Sequence, residues 1–217
     1  MNFPRILKKR KGYIDRIKPF MQKSVVKVLT GQRRVGKSFL LYQLIEEILG
    51  KEPDANIIYI NLEDFAFSSL QTAEDLHSYI ISHSKEKAKN YIFIDEIQDI
   101  PGFEKVIRSL LLNEDNDIYI TGSNAKMLSG ELATYLSGRY IEFKIYSLSY
   151  SEFLEFHGLT ESETSYELYS RYGGLPYLLN LPLEDETVNE YLKSVYSTIV
   201  FLSLIHISEP TRHLRIS

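Results

Sequence analysis

Gly31-Gln32-Arg33-Arg34-Val35-Gly36-Lys37-Ser38 satisfies the pattern G-x-x-x-x-G-K-[ST], and its flanks are those the pattern requires. Before it stands Val25-Val26-Lys27-Val28-Leu29, a β-branched apolar run that reads as a buried strand. After it, Leu41, Leu44, Ile45 and Ile48 recur at helical spacing toward a stop near Gly50, with Pro53 just beyond. A buried strand, a tight loop and a helix in direct succession leave few architectures open. The glycines let backbone N–H groups curl toward phosphate oxygens, and the helix N-terminus adds partial positive charge. Lys37 is expected to reach the β- and γ-phosphates of ATP, and Ser38 to hold Mg2+ through its hydroxyl. Gly31, Gln32, Arg33, Arg34, Val35, Gly36 and Phe39 complete the expected nucleotide cradle.

The rest of the chain continues the pattern. Ile57-Ile58-Tyr59-Ile60, Tyr91-Ile92-Phe93-Ile94 and Ile118-Tyr119-Ile120 are continuous apolar runs separated by helix-length segments, as in parallel strands buried on both faces. Phe103, Val106, Ile107, Leu110 and Leu111 supply a helical stripe between the last two. Ile141-Glu142-Phe143-Lys144-Ile145 alternates apolar with charged, which suits a sheet edge. A short helix is expected over residues 12–21. Beyond Leu148 the pattern turns helical over residues 150–157, 165–172 and 188–200, read as a small lid. Alternating strands and helices make the fold class α/β, doubly wound.

Asp95-Glu96 closes the run Tyr91 to Ile94, so both carboxylates emerge at the C-terminal end of a strand, where ligands of open α/β sheets sit. Asp95 is expected to hold Mg2+, directly or through water. Glu96 is placed to orient and deprotonate the attacking water. Thr121-Gly122-Ser123-Asn124 follows the next strand, and Ser123 or Asn124 would sense the γ-phosphate, although these residues also suit an ordinary turn. Arg139, just before the edge strand, reads either as an arginine finger or as a surface arginine.

Composition narrows the function classes. A formal net charge of -4 argues against a strongly basic nucleic-acid binder and leaves only a local patch open. Lys8-Lys9-Arg10-Lys11 is such a patch, read as a solvated surface. With no cysteine, thiolate metal sites and cysteine nucleophiles are excluded, and a cytoplasmic location fits. No apolar run reaches the length of a membrane span, so no membrane partner is expected. The five histidines share no ligand spacing, and no metal is assigned to them.

Taken in order, Leu29 to Ser38, Ile94-Asp95-Glu96-Ile97-Gln98, Thr121-Gly122-Ser123, Gly138-Arg139-Tyr140 and Leu148-Ser149-Tyr150-Ser151-Glu152-Phe153 resemble the AAA-plus ATPases. The likeness is to the archaeal and bacterial branch in which such a module precedes a restriction-endonuclease-like domain of unknown function. The resemblance implies a P-loop NTPase fold, a five-stranded parallel sheet of order 5-1-4-3-2, and a helical lid over the nucleotide. Gly173-Gly174-Leu175-Pro176 is similar to the Gly-x-Pro motif of related signalling ATPases, which implies Pro176 near the adenine. From the residues alone it is a loop entering a helix.

These readings divide the chain into a nucleotide-binding core over residues 1–148, a partial lid over 149–201 and a tail over 202–217. The tail, Leu202 to Arg212 above all, resembles a translated sequencing adapter, so a native C-terminal domain is expected to be missing. The leading expectation is Mg2+-dependent ATP hydrolysis coupled to an unknown protein partner, with homo-oligomerisation open. The alternative is a slowly hydrolysing switch with ATP as a conformational ligand. A small-molecule kinase is the third, less favoured by Arg139 and the lid.

Overall fold

The computed structural model describes residues 8–122, 136 and 138–208. Residues 1–147 and 148–217 fall into two compact units. In the first, β1 (Val26–Thr30), β2 (Asn56–Asn61), β3 (Asn90–Asp95), β4 (Asn116–Gly122) and β5 (Tyr140–Lys144) form one parallel sheet of order β2-β3-β4-β1-β5. This is the order 5-1-4-3-2 read from the other edge, and the fold is that of an α/β P-loop NTPase. Helices α1 (Lys11–Ile17), α2 (Lys37–Leu49), α3 (Ala73–His83) and α4 (Phe103–Leu110) flank it.

Successive side chains of a strand leave on opposite faces, and this sheet gives its two faces different chemistry. Ile58, Ile60, Ile92, Ile94, Ile118 and Ile120 point one way, onto Leu76 and Ile80 of α3 and Phe103, Val106 and Ile107 of α4. Tyr91, Phe93, Tyr119 and Phe143 point the other way, onto Ile14 and Ile17 of α1 and Leu40, Leu41, Leu44, Ile45 and Ile48 of α2. Phe93 and Tyr119 stack across strands with ring centroids 4.4 Å apart. Full burial of an aliphatic side chain contributes about 1.5–3 kcal/mol, so these two layers dominate the stability of the unit.

The edge strands differ from the centre as their positions demand. β1, β3 and β4 are buried throughout, whereas β2 is only partly buried despite its unbroken apolar run. One side of β2 lacks a neighbouring strand, a fact of sheet order that its own residues do not carry. β5 is the other edge; Tyr140, Ile141 and Glu142 are all partly buried, and only Phe143 and Lys144 show the buried-then-exposed alternation of the sequence.

The aromatic face also holds an ion pair. Lys27 on β1 and Asp117 on β4 are both fully buried and paired. Lys27 Nζ donates to the Val25 carbonyl at 2.8 Å and sits 4.6 Å from the centroid of the Tyr119 ring. Asp117 Oδ2 accepts from the Tyr119 hydroxyl and from the Gln22 backbone N–H, each at 2.8 Å. Burial pushes the Lys27 ammonium below its usual range, against the opposing pull of Asp117.

In the second unit, α5 (Tyr150–His157), α6 (Glu163–Tyr172) and α7 (Asp185–Ser208) are joined by a 3-10 turn over Pro176–Asn180. Ser149 and Glu152 form a reciprocal capping box at the start of α5, which gives the Ser-Tyr-Ser-Glu string a local structural role. Pro176 opens its turn at the first position, where a missing N–H costs nothing. α7 continues beyond Val200 and through Leu202 to Ser208. No helix among the described residues is long and apolar enough to cross a membrane.

Removing one member of the buried pair leaves an uncompensated charge in the core. Asp117→Ala is therefore expected to lower unfolding free energy by about 3–5 kcal/mol in urea titrations. The double variant Lys27→Met with Asp117→Leu is expected to recover most of it, because the pair's own desolvation cost goes too.

Candidate functional site

The site lies at the C-terminal ends of β1, β3 and β4, and the pleat assembles it. Residues 91, 93 and 95 of β3 share the face that α2 covers, as do residues 117, 119 and 121 of β4 and residue 59 of β2. Asp95 therefore emerges against the first turn of α2, where Ser38 and Thr121 hydroxyls bond to it. The Tyr59 hydroxyl lies 3.5 Å from Asp95 Oδ2 and 3.1 Å from the Tyr42 hydroxyl.

The loop from β1 to α2 is shaped by two glycines. A side chain at Gly31 would place its Cβ 2.3 Å from the Ile145 carbonyl oxygen, so no other residue fits there. Gly36 caps α2 in the left-handed region, at φ 93° and ψ 28°. Lys37 is then the first residue of α2, and its buried ammonium lies 3.3 Å from the Gly31 carbonyl and 3.2 Å from that of Gln32. Val35 is buried, while Gln32, Arg33, Arg34 and Phe39 are exposed.

Glu96 does not extend β3. A strand continued by one residue would send this side chain to the opposite face, but Glu96 takes φ 55° and ψ 47°, an uncommon left-handed conformation for a non-glycine residue. Its backbone N–H donates to Thr121 Oγ1 at 3.0 Å. Thr121, through the same hydroxyl, donates to Asp95 Oδ1. The turn brings the Glu96 carboxylate to 3.3 Å from Lys37 Nζ.

Electrostatically the site is crowded with carboxylates. Burial is the main force holding the Asp95 carboxyl above its usual range; hydrogen bonds from Ser38 and Thr121 pull it down, Glu96 pushes it up, and Lys37 pulls it down. Glu63, after β2, is raised by burial and then by repulsion from Glu96, partly offset by Arg33. Tyr59 is raised by its own burial and by the charge of Asp95.

Of the sequence-derived candidates, the structure brings Lys37, Ser38, Asp95 and Glu96 together. Arg139 is exposed and lies elsewhere: Tyr140 pairs level with Val26, so Arg139 sits at the end of the sheet away from the loop. Ser123 and Asn124 lie outside the described residues. Pro176 belongs to the second unit.

Sequence reasoning missed Thr121, Tyr59 and Gln98 as neighbours of the carboxylates, and it misplaced Arg10. Arg10 is buried, not solvated: its guanidinium donates to the Val35 carbonyl at 3.2 Å and the Tyr146 carbonyl at 2.9 Å. It also lies 4.5 Å from the centroid of the Tyr13 ring. The available signal was an arginine among lysines, since only the planar guanidinium fork satisfies several carbonyls while stacking on a ring.

A family model described as an AAA domain matches residues 23–154. The chain belongs to the AAA domain family. An uncharacterized protein of Haemophilus influenzae is 38% identical over 209 residues, covering 91% of this chain and 50% of its own length. A second, from Methanocaldococcus jannaschii, is 32% identical over 186 residues, covering 79% of this chain and 41% of its own. This AAA-domain chain thus spans half or less of the curated relatives it matches. Among solved structures, the Aeropyrum pernix ORC1 protein in complex with DNA superposes with TM-score 0.54 at 13% identity, over 96% of this chain and 75% of that one. The Saccharomyces cerevisiae Hsp104:casein complex gives TM-score 0.53 at 15% identity, over 80% and 36%. These two likenesses show the fold alone. Family membership supports nucleotide binding and ATPase chemistry in general terms.

A raised carboxyl is one whose charged form is penalised by the fold, so at neutral pH Asp95 opposes folding in the absence of a cation. The sign follows from linkage: the folded protein binds its proton more tightly, so stability is lost as pH rises through the folded value. Asp95→Asn is expected to raise the melting temperature of the nucleotide-free protein, by roughly 2–4 °C per kcal/mol recovered. In thermal melts with and without added ATP and Mg2+, the same variant is expected to gain less from the addition than the wild type.

Proposed function

We propose that this AAA-domain chain binds ATP with Mg2+ at the loop from Gly31 to Ser38 and hydrolyses it. The observation that carries the reading is the convergence of Lys37, Ser38, Asp95 and Glu96, from two separate segments, at the N-terminus of α2. Asp95 and Ser38 offer Mg2+ hard oxygen donors, and a buried carboxyl held partly against its charge is a favourable host for a dication. Mg2+ commonly takes only one or two protein ligands, its other positions going to phosphates and water. Once bound, it would neutralise charge on the phosphates.

The protein's own residues supply the rest. Lys37 draws the β- and γ-phosphates toward the helix N-terminus, where backbone N–H groups already favour anions. Glu96 takes a proton from the attacking water, and the Thr121 hydroxyl holds its backbone in the turn that aims it there. Ser123 and Asn124 remain the proposed γ-phosphate sensors, and Pro176 the proposed adenine neighbour.

Arg139, exposed at the far end of the sheet, is too distant to serve its own loop, so a finger role makes it act on a neighbouring copy. We place the consequence of hydrolysis in the helical unit and, by resemblance, in a further domain or protein partner. We retain the reading of the residues from about Leu202 as non-native.

A switch that binds ATP and turns it over slowly is favoured by one observation, the pairing of Glu96 with Lys37, which holds the base away from water. Affinity and turnover separate the two. Lys37→Ala is expected to abolish tight ATP binding by calorimetry. Glu96→Gln is expected to keep affinity within a few-fold and cut turnover about 100-fold or more. Equal loss of both in Glu96→Gln would place that residue among the Mg2+ ligands. Arg139→Ala is expected to spare binding and remove any rise of specific activity with protein concentration.

A further inference from the structure

The two oxygens of the Glu96 carboxylate have different partners. Oε1 faces Lys37 Nζ at 3.3 Å, while Oε2 accepts from Gln98 Nε2 at 2.7 Å. Phosphate competes for Lys37, because its ammonium is the buried cation of the loop, whereas Arg33 and Arg34 are exposed. Gln98 is then the partner left to the carboxylate.

The orientation of the Gln98 amide follows from chemistry. A carboxylate only accepts, so the NH2 end must face Glu96; reversed, two oxygens would meet at hydrogen-bond distance. The same nitrogen has Asp99 Oδ1 as a longer partner at 3.4 Å. The other end, Oε1, is buried without a hydrogen-bond partner among the described residues. Buried acceptors are nearly always paired, and leaving one unpaired is costly.

Local backbone geometry produces this placement. The left-handed Glu96 starts a single 3-10 turn over Ile97–Asp99, and fully buried Ile97 anchors it in the core. Gln98 is thereby held beside the carboxylate of the residue two before it. A single carbon separates the two ends of the amide, so a water beside Glu96 Oε2 also reaches Gln98 Oε1 once the side chain turns that covered oxygen outward.

We infer that Gln98 positions the attacking water, its NH2 group holding Glu96 and its carbonyl accepting the water hydrogen that is not transferred. The inference rests on the ATP hydrolysis proposed above. In that step the water oxygen bonds to the γ-phosphorus as the bond from that phosphorus to the bridging oxygen of ADP breaks. The bond's electron pair stays on ADP, one water proton passes to Glu96, and the other remains hydrogen-bonded to Gln98. The products are ADP and inorganic phosphate. A side-chain amide that orients water is established chemistry for phosphoryl transfer.

The test compares wild type, Gln98→Ala, Gln98→Met and Gln98→Glu in turnover, in affinity for a non-hydrolysable ATP analogue with Mg2+, and in melting temperature. Turnover of Gln98→Ala and Gln98→Met is expected to fall about 10- to 100-fold, with affinity changed less than about three-fold. Melting of Gln98→Met is expected to stay level or rise, because an unpaired buried carbonyl has been removed. For Gln98→Glu, turnover relative to wild type is expected to rise as pH is lowered, since the introduced carboxyl regains a donor for Glu96 once protonated. Wild-type turnover that Gln98→Ala leaves within two-fold would overturn the role of Gln98 alone. A parallel loss of turnover, affinity and stability in Gln98→Met would make it a structural residue. Absence of turnover in wild type with intact ATP binding would overturn the hydrolytic reading and this one together.

Discussion

Leu40, Leu41, Leu44, Ile45 and Ile48 of α2 pack on Tyr91, Phe93, Tyr119 and Phe143, and that contact determines where the N-terminus of α2 points. The loop before α2 is fixed at both ends, since Gly31 lies against the Ile145 carbonyl and Gly36 turns directly into Lys37. Packing of one helix on the aromatic face thus positions the ammonium, the Ser38 hydroxyl and the backbone N–H groups together. Disturbing that layer would move all three at once, because cores transmit strain rather than absorb it.

The pleat does the same for the acidic side of the site. Tyr59, Asp95 and Thr121 share the α2 face because each lies two residues from a side chain of that face on its own strand, Ile57, Phe93 and Tyr119 respectively. Glu96 escapes this alternation only through its left-handed backbone, with Thr121 bonded to both its N–H and the Asp95 carboxylate. One threonine on β4 therefore couples the two carboxylates proposed for metal binding and for proton removal. Strain of this kind is commonly held where function needs it.

At the other end of the sheet the polar chemistry is structural. Lys27, Asp117, Tyr119 and Gln22 form one network on the same face as the site, at the opposite ends of the strands. Tyr91 extends it to Glu52, and burial together with that bond pushes the Tyr91 hydroxyl up to about 12. Two polar clusters on one face thus stand apart along the strand direction, the Lys27–Asp117 pair at one end and the Lys37–Glu96 pair at the other.

Periodicity and the spacing of Gly31, Gly36, Lys37 and Ser38 were enough to read the α/β class, six of the seven helices among the described residues and the central strands, because each rests on local geometry. The pair Asp95-Glu96 was legible for the same reason, as the end of an apolar run. Contacts between distant segments were not: Thr121 and Gln98 are ordinary polar residues in the string, and Arg10 sits in what reads as a surface run. Nor could periodicity tell that β2 is an edge, since its run is as apolar as that of β3. Tertiary structure decided those points, because sheet order and face sharing bring together residues with no local signature. The sequence by itself determined which groups are present and which turn they can make; only packing of α2 and the order of the strands decided which of them meet.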